Sequence, residues 1–352
     1  MRMTVDVAPH AFSIREYRSE DEDVVLRLLR LVLGEGGAFA RTLEFFRWKH
    51  VDNPWGPSQI LLADGSELLG VRAFMRWGFR TPQGQARAVR AVDTATHPGF
   101  RRLGIFSRLT KASLGRAAAD RVHLIFNTPN AASMAGYVKL GWQMVGHPRL
   151  MIRVLNPARL SLGLLSRRRR RLTEAEIGGF FRRPTQSVED LLAKGDRLER
   201  ILRLDDELCR EGIRTERSLE FLRWRYVDAP SLRYFAFWEG RVPVTAALIF
   251  RPNIRRGLRE IMLVEFLMGY GAAREVDVLM HGLARAVRAD YMLAAATPGT
   301  EHWGLLRRAG FLPLPERAGP NFVVHPLNWP PAAPDPSRLQ HWRLSLGDLE
   351  LF

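Results

Sequence analysis

One fourteen-residue stretch occurs twice in this chain. Arg41-Thr-Leu-Glu-Phe-Phe-Arg-Trp-Lys-His-Val-Asp-Asn-Pro54 returns as Arg217-Ser-Leu-Glu-Phe-Leu-Arg-Trp-Arg-Tyr-Val-Asp-Ala-Pro230, with nine of fourteen positions identical. A repeat at one fixed offset, here 176 residues, means that one structural plan is used twice. After each copy the sequence reads as two strands joined by a turn: 59–63 and 68–79 around Asp64-Gly65, then 234–238 and 242–250 around Glu239-Gly240. Each half continues with a further strand, a helix and a Gly-aromatic exit, at Gly141-Trp142 and Gly310-Phe311. The 352 residues suffice for two cores of ordinary domain size. The pattern therefore predicts a mixed α/β chain of two like domains, 1–155 and 186–327, with an arginine-rich linker over 156–185 and a Pro-rich tail over 328–352.

Local signals fill in the elements. Ser19-Glu-Asp-Glu22 reads as a capping box ahead of the apolar stripe Val24, Val25, Leu28, Leu29 and Val32. Residues 88–96 have strand character, Ile105–Ala119 carries helical apolar spacing, and 274–289 predicts a helix in the second half. The tail opens with Trp329-Pro-Pro-Ala-Ala-Pro-Asp-Pro336, which cannot be regular structure, and then turns apolar enough to pack back on the body.

Chemistry concentrates in the first half. In Asp93-Thr-Ala-Thr-His-Pro-Gly-Phe-Arg-Arg-Leu-Gly-Ile-Phe-Ser107 a strand runs into a tight Arg/Gly loop that opens a helix. The first amides of a helix lack intrahelical partners and lie at the positive end of its dipole, so such a loop can cradle a phosphate. Further on, Asn127-Thr-Pro-Asn130-Ala-Ala-Ser133-Met-Ala-Gly-Tyr137-Val-Lys139-Leu-Gly141-Trp142 follows a strand as a polar turn and a short helix.

Together these segments resemble the GNAT superfamily of acyl-CoA-dependent N-acyltransferases. The first matches its pyrophosphate loop (Arg or Gln, two residues, Gly, one residue, Gly or Ala), and the second its Asn-x-x-Ala-x-x-x-Tyr-x-Lys-x-Gly-Phe pattern. Phe106, Ser133 and Trp142 depart from these patterns. The resemblance implies two tandem domains, each a twisted, mixed, mainly antiparallel sheet flanked by helices. It implies a donor, acetyl-CoA or another acyl-CoA, held by Arg101, Arg102, Leu103, Gly104, Ile105, Phe106 and Ser107. The strand edge at Thr94, Ala95 and Thr96 would pair with the pantetheine arm, with Asn127 and Asn130 nearby, Asn130 as helix cap. Tyr137 would be the general acid. The second half has no such loop, and Leu306 stands where Tyr137 would be, so one active site per chain is expected.

The general base stays open: Asp93 is the carboxylate on the strand before the loop, and a water or the tail (Asp348, Glu350 or the Phe352 carboxylate) are the other choices. His97 reads as a turn residue. The implied reaction is direct acyl transfer to a primary amine, on a small molecule or amino sugar. An aminoacyl-tRNA-dependent transferase of the Fem type, which also has tandem domains, and a non-catalytic CoA-binding module are the rival readings. A net charge of +16 would suit tRNA. Only four of the 53 basic residues are lysine, however, and the arginines are scattered apart from the run at 167–171, so the charge reads as coding bias and no nucleic acid is expected. A single cysteine, Cys209, fits a reducing cytoplasm, and no stretch is apolar enough to span a membrane. Nine histidines without H-x-x-x-H or Cys/His spacing predict no metal.

Overall fold

The computed structural model describes residues 12–34, 41–163, 174–183, 185–238, 246–269 and 272–349. The first half runs β1 (Ser13–Glu16), α1 (Glu22–Leu33), α2 (Leu43–His50), β2 (Gln59–Asp64), β3 (Leu68–Thr81), β4 (Gly84–Thr96), α3 (Ile105–Ala119), β5 (Leu124–Asn127), α4 (Ala131–Lys139), β6 (Gln143–Gly146) and β7 (Leu150–Val154). Two short helices follow, α5 (Pro157–Gly163) and α6 (Glu174–Gly178). The second half runs β8 (Gln186–Ser187), α7 (Val188–Leu192), α8 (Asp196–Leu208), β9 (Arg214–Thr215), α9 (Leu219–Tyr226), β10 (Phe235–Phe237), β11 (Ala246–Arg255), β12 (Leu258–Met268), α10 (Ala273–Ala286), β13 (Tyr291–Ala295), α11 (Glu301–Arg308), β14 (Leu312–Pro313) and β15 (Phe322–Pro326), and the tail holds α12 (Leu346–Leu349).

Two mixed sheets result, ordered β1-β2-β3-β4-β5-β15-β6, with β9 added to β3, and β14-β7-β13-β12-β11-β10-β8. Among the described residues each sheet has one parallel pair, β4 with β5 and β12 with β13, and is otherwise antiparallel. The halves do not separate at residue 155. β7 of the first half lies between β13 and β14 in the second sheet, and β15 of the second half lies between β5 and β6 in the first. Each half thus lends a strand to the other. The borrowed Phe322-Val-Val324 is wholly apolar and buried, as a strand covered on both faces must be.

The repeated segments meet. Thr42 and Ser218 cap α2 and α9 identically, accepting the amides of Phe45 (3.1 Å) and Phe221 (3.0 Å). Trp48 Nε1 donates to the Trp224 carbonyl at 2.7 Å and Trp224 Nε1 to the Trp48 carbonyl at 2.8 Å, with the indoles stacked at 5.1 Å. Contacts that exchange i for j are the mark of a two-fold axis, here inside one chain. Trp55, Trp77 and Phe221 pack around this pair, and one core joins both halves.

Some local expectations change. The box expected over Ser19–Glu22 shifts by one residue: Asp21 accepts the Arg18 amide at 2.8 Å ahead of a 3₁₀ turn at Ser19–Asp21, and Glu22 pairs with the Arg47 guanidinium at 2.7 Å, a stronger partner than an amide. The strand expected at 234–238 shortens to Phe235–Phe237, and the helix expected over 274–289 spans Ala273–Ala286. The turn at Glu239-Gly240, residues 242–245 and the arginine run 167–171 lie outside the described residues. The tail does pack back: Trp342 is fully buried, edge-on to Phe79 and Phe322, and its Nε1 donates to the Pro336 carbonyl at 2.9 Å.

Candidate active site

β4 and β5 pair from Ala88–Arg90 to Leu124–Phe126; β5 then ends at Asn127 while β4 runs on to Thr96. Beyond Arg90, β4 pairs with β3 alone among the described strands, so the edge carrying Thr94, Ala95 and Thr96 has no strand partner on its other side. A bulge lies in this stretch: Val71 opposes Ala95 and Ala73 opposes Val92, leaving Arg72 across from Asp93 and Thr94, with Asp93 at φ 39°.

The loop follows. Arg101, Arg102, Leu103 and Gly104 are exposed, and Arg102 and Gly104 take left-handed φ values of 67° and 73°. Gly104 opens α3 and supplies no capping side chain, so the first-turn amides of Ile105, Phe106 and Ser107 are not consumed by a cap. His97 accepts the Gly99 amide at 3.3 Å and serves the turn, as its place before a proline suggests.

Asn130 caps α4, its Oδ1 accepting the Ser133 amide at 3.0 Å. Asn127 is buried and its Oδ1 accepts the Thr128 amide at 2.7 Å. Tyr137 of α4 is 4% exposed, and Trp142 and Phe106 meet it edge-on at 5.1 and 5.9 Å. The Tyr137 hydroxyl accepts a hydrogen bond from Arg72 Nη1 at 2.9 Å, and the same nitrogen donates to Thr94 Oγ1 at 2.6 Å. Arg72 is fully buried over the rings of Phe74, Phe106 and Tyr137. No carboxylate among the described residues pairs with it, and its Nε and Nη2 have no hydrogen-bond partner there.

Asp93 faces the opposite surroundings. Its carboxylate meets Lys49 Nζ at 2.7 Å, His50 Nε2 at 2.9 Å and Arg41 Nη1 at 3.4 Å. Burial by itself would raise its pKa, but Lys49 and His50 more than reverse this and hold it well below the usual carboxylate range. Burial also pushes His50 below its ordinary value, so the ring is neutral. With Nε2–H donated to Asp93, Nδ1 accepts from the Ser58 hydroxyl at 2.9 Å. Such an anion is a poor general base, whose pKa should lie near the working pH. Of the tail candidates, Asp348 is buried in the second half, accepting from Thr215 at 2.7 Å and from Arg217 at 3.3 Å, and Glu350 and Phe352 lie outside the described residues.

Arg72, Lys49, His50 and Ser58 were not singled out from the sequence. The repeat held the signal for one of them, His50. Arg217 and Tyr226 grip Glu265 at 2.8 and 2.7 Å, as their counterparts Arg41 and His50 grip Asp93. Arg72 is betrayed only by being the one charge in the apolar run Leu68-Leu-Gly-Val-Arg-Ala-Phe-Met75.

Residues 13–145 match the family model described as acetyltransferase (GNAT) domain. No curated protein matches the sequence significantly. Among solved structures, a conserved protein from Enterococcus faecalis V583, described as a probable N-acyltransferase, superposes with a TM-score of 0.63 at 14% identity, covering 90% of this chain and 73% of that one. A GCN5-related N-acetyltransferase from Anabaena variabilis gives 0.63 at 12% over the same shares. Saccharomyces cerevisiae N-myristoyltransferase, solved with myristoyl-CoA, gives 0.52 at 13%, covering 92% and 83%. At these identities the likeness is one of fold, and it extends over both halves. No described helix is long and apolar enough to cross a membrane.

Proposed function

We propose that the chain, whose residues 13–145 match the acetyltransferase (GNAT) domain model, transfers an acyl group, acetyl in the simplest case, from acyl-CoA to a primary amine at one site in its first half. The observation that carries this reading is the conjunction of three features: the edge of β4 that runs on past the end of β5, an uncapped helix start behind an exposed Arg101–Gly104 loop, and Tyr137 linked through Arg72 to Thr94 on that edge. The loop suits a pyrophosphate, which amides and two arginines would hold. The free edge at Thr94–Thr96 suits an extended pantetheine, added like a strand.

In the transfer, the amine nitrogen attacks the thioester carbonyl, the C–S bond breaks, and the thiolate takes up a proton. Arg72 occupies a lone pair of the Tyr137 hydroxyl, so the phenolic hydrogen is directed elsewhere, towards the departing sulfur. Arg72 is a positioning residue, and its charge also favours the developing thiolate. Asp93, locked by Lys49 and His50, orders the bulge, and the amine proton leaves to water. A small amine or amino sugar is the acceptor class.

Phe106 favours one other reading. Its ring stands beside Tyr137 and over Arg72 where the motif has a small residue, which suits a CoA-binding module without turnover. Calorimetric titration should find one acetyl-CoA per chain, abolished by Arg101→Glu with Gly104→Glu; an inert wild-type protein would sink the proposal. Binding without turnover over a broad amine panel would select the module.

A further inference from the structure

The second half has its own diverging strand pair, and its cleft holds different chemistry. β12 and β13 pair only over Glu260–Met262 and Tyr291–Leu293. Where they part, a cavity of about 40 Å³ is lined by Asp205, Cys209, His302, Glu265, Thr297 and Ser345, among others. Cys209 Sγ lies 3.7 Å from His302 Nδ1, and His302 Nε2 lies 3.2 Å from Asp205 Oδ1. One ligand atom from each of the three residues lies within 4.8 Å of the others.

We propose that Asp205, Cys209 and His302 form a zinc site. The residues come from two rigid elements: Asp205 and Cys209 are four apart at the end of α8 and so share one face, and His302 stands in the first turn of α11, which Thr300 caps. Zinc bonds of about 2.3 Å to sulfur and 2.0–2.2 Å to nitrogen or oxygen place tetrahedral ligand atoms about 3.3–3.6 Å apart, so separations that lie within 4.8 Å must shorten by at most about 1.5 Å. The imidazole bridges thiol and carboxylate, and a turn of the ring exchanges those two hydrogen bonds for one metal bond. Carboxylate and thiolate together neutralise a divalent charge, and thiolate with imidazole selects zinc over magnesium or calcium.

Asp205 and Cys209 are only 7% and 6% exposed, which keeps water from competing. The cavity leaves room for a water as fourth ligand. Of the two arginines in the wall, Arg217 is matched by Glu265 and Asp348, and Arg343 turns its guanidinium to the carbonyls of Gln340 and Trp342. An ion here would tie α8 to α11, in the cleft that lacks a phosphate loop. The histidine is 93 residues from the cysteine, so no sequence spacing could announce the site.

The test uses the full chain, stripped with a chelator and titrated with Co²⁺ as a spectroscopic stand-in and then with Zn²⁺. One Co²⁺ per chain should bind with a sulfur-to-cobalt charge-transfer band and tetrahedral ligand-field bands, displaced by one equivalent of Zn²⁺. Cys209→Ser and His302→Gln should each remove the charge-transfer band and weaken Zn²⁺ binding by about tenfold or more. A second readout needs no variant: the single thiol of the wild-type protein should alkylate several-fold more slowly with Zn²⁺ present. Absence of the sulfur band, or equal alkylation with and without Zn²⁺, overturns the proposal.

Discussion

Burying Asp93 against Lys49 and His50 removes three titratable groups from water at once, and such a cluster persists only while each charge is matched. Asp93→Asn keeps the shape and removes the anion, leaving Lys49 buried beside a neutral amide. The loss should be about 3–5 kcal/mol, read from the urea midpoint. The same cluster sets a pH response. His50 is depressed from its ordinary value of 6.5, so the unfolded chain binds its proton first and stability falls as pH drops below about 6.5. Asp93 is depressed too, so its contribution is present above about 3.8 and is lost as pH falls further towards its folded value. His50→Gln should flatten the upper limb of the curve and leave the lower one. Equal slopes in wild type and variant between pH 7 and 5 would refute the assignment. At the cleft, Tyr137→Phe should lower kcat by about a hundredfold with little change in KM for the donor, the size of a missing general acid. Arg72→Met should show the same split while Tyr137 still resides in place, since its effect passes through that hydroxyl.

The helix α3 and its loop show what can be read from a sequence and what cannot. Ile105–Ala119 is legible to the residue because Gly104 must take φ 73° to start it and the apolar spacing through Leu109 fixes its buried face. The Asn130 cap is legible because Asn commonly opens a helix, whereas Tyr137 stands out only through the resemblance to the family pattern. Arg72 is not legible, because its meaning depends on a bulge in one strand, a hydroxyl on another and a ring 65 positions away. The strands β7 and β15 fail differently: a short, mostly apolar run looks alike whichever sheet receives it. Two substitutions follow at this scale. Gly104→Ala meets open space but must adopt a left-handed conformation, costing about 1–2 kcal/mol in thermal unfolding. Phe106→Gly removes the ring beside Tyr137 and Gly136, and should raise the rate with longer acyl donors relative to acetyl-CoA. An unchanged donor preference would show that the ring does not border the acyl group.

Exchange of β7 for β15 makes the two halves one folding unit, since neither sheet closes without a strand of the other. The indole pair at the internal axis reinforces this, with each tryptophan bonding the other's backbone across a core common to both halves. A chain of two independent domains would melt in two steps; this one should give a single calorimetric transition, with the van't Hoff enthalpy equal to the calorimetric one. The symmetry makes a sharper demand. Trp48→Phe and Trp224→Phe each delete one indole N–H bond and half of the same stacked contact, so their costs cannot be independent. The double variant should lose less than the sum, with a coupling of about 0.5–3 kcal/mol. Additive losses, or a second transition appearing in either single variant, would mean that the halves lean on each other without being joined. Coupling of that size would explain why the repeat keeps Trp, Arg and Leu-Glu-Phe at matching positions while a residue on each carboxylate has diverged, His50 on Asp93 in one copy and Tyr226 on Glu265 in the other. The axis is shared by both halves and must match itself, whereas each carboxylate cluster serves only its own cleft.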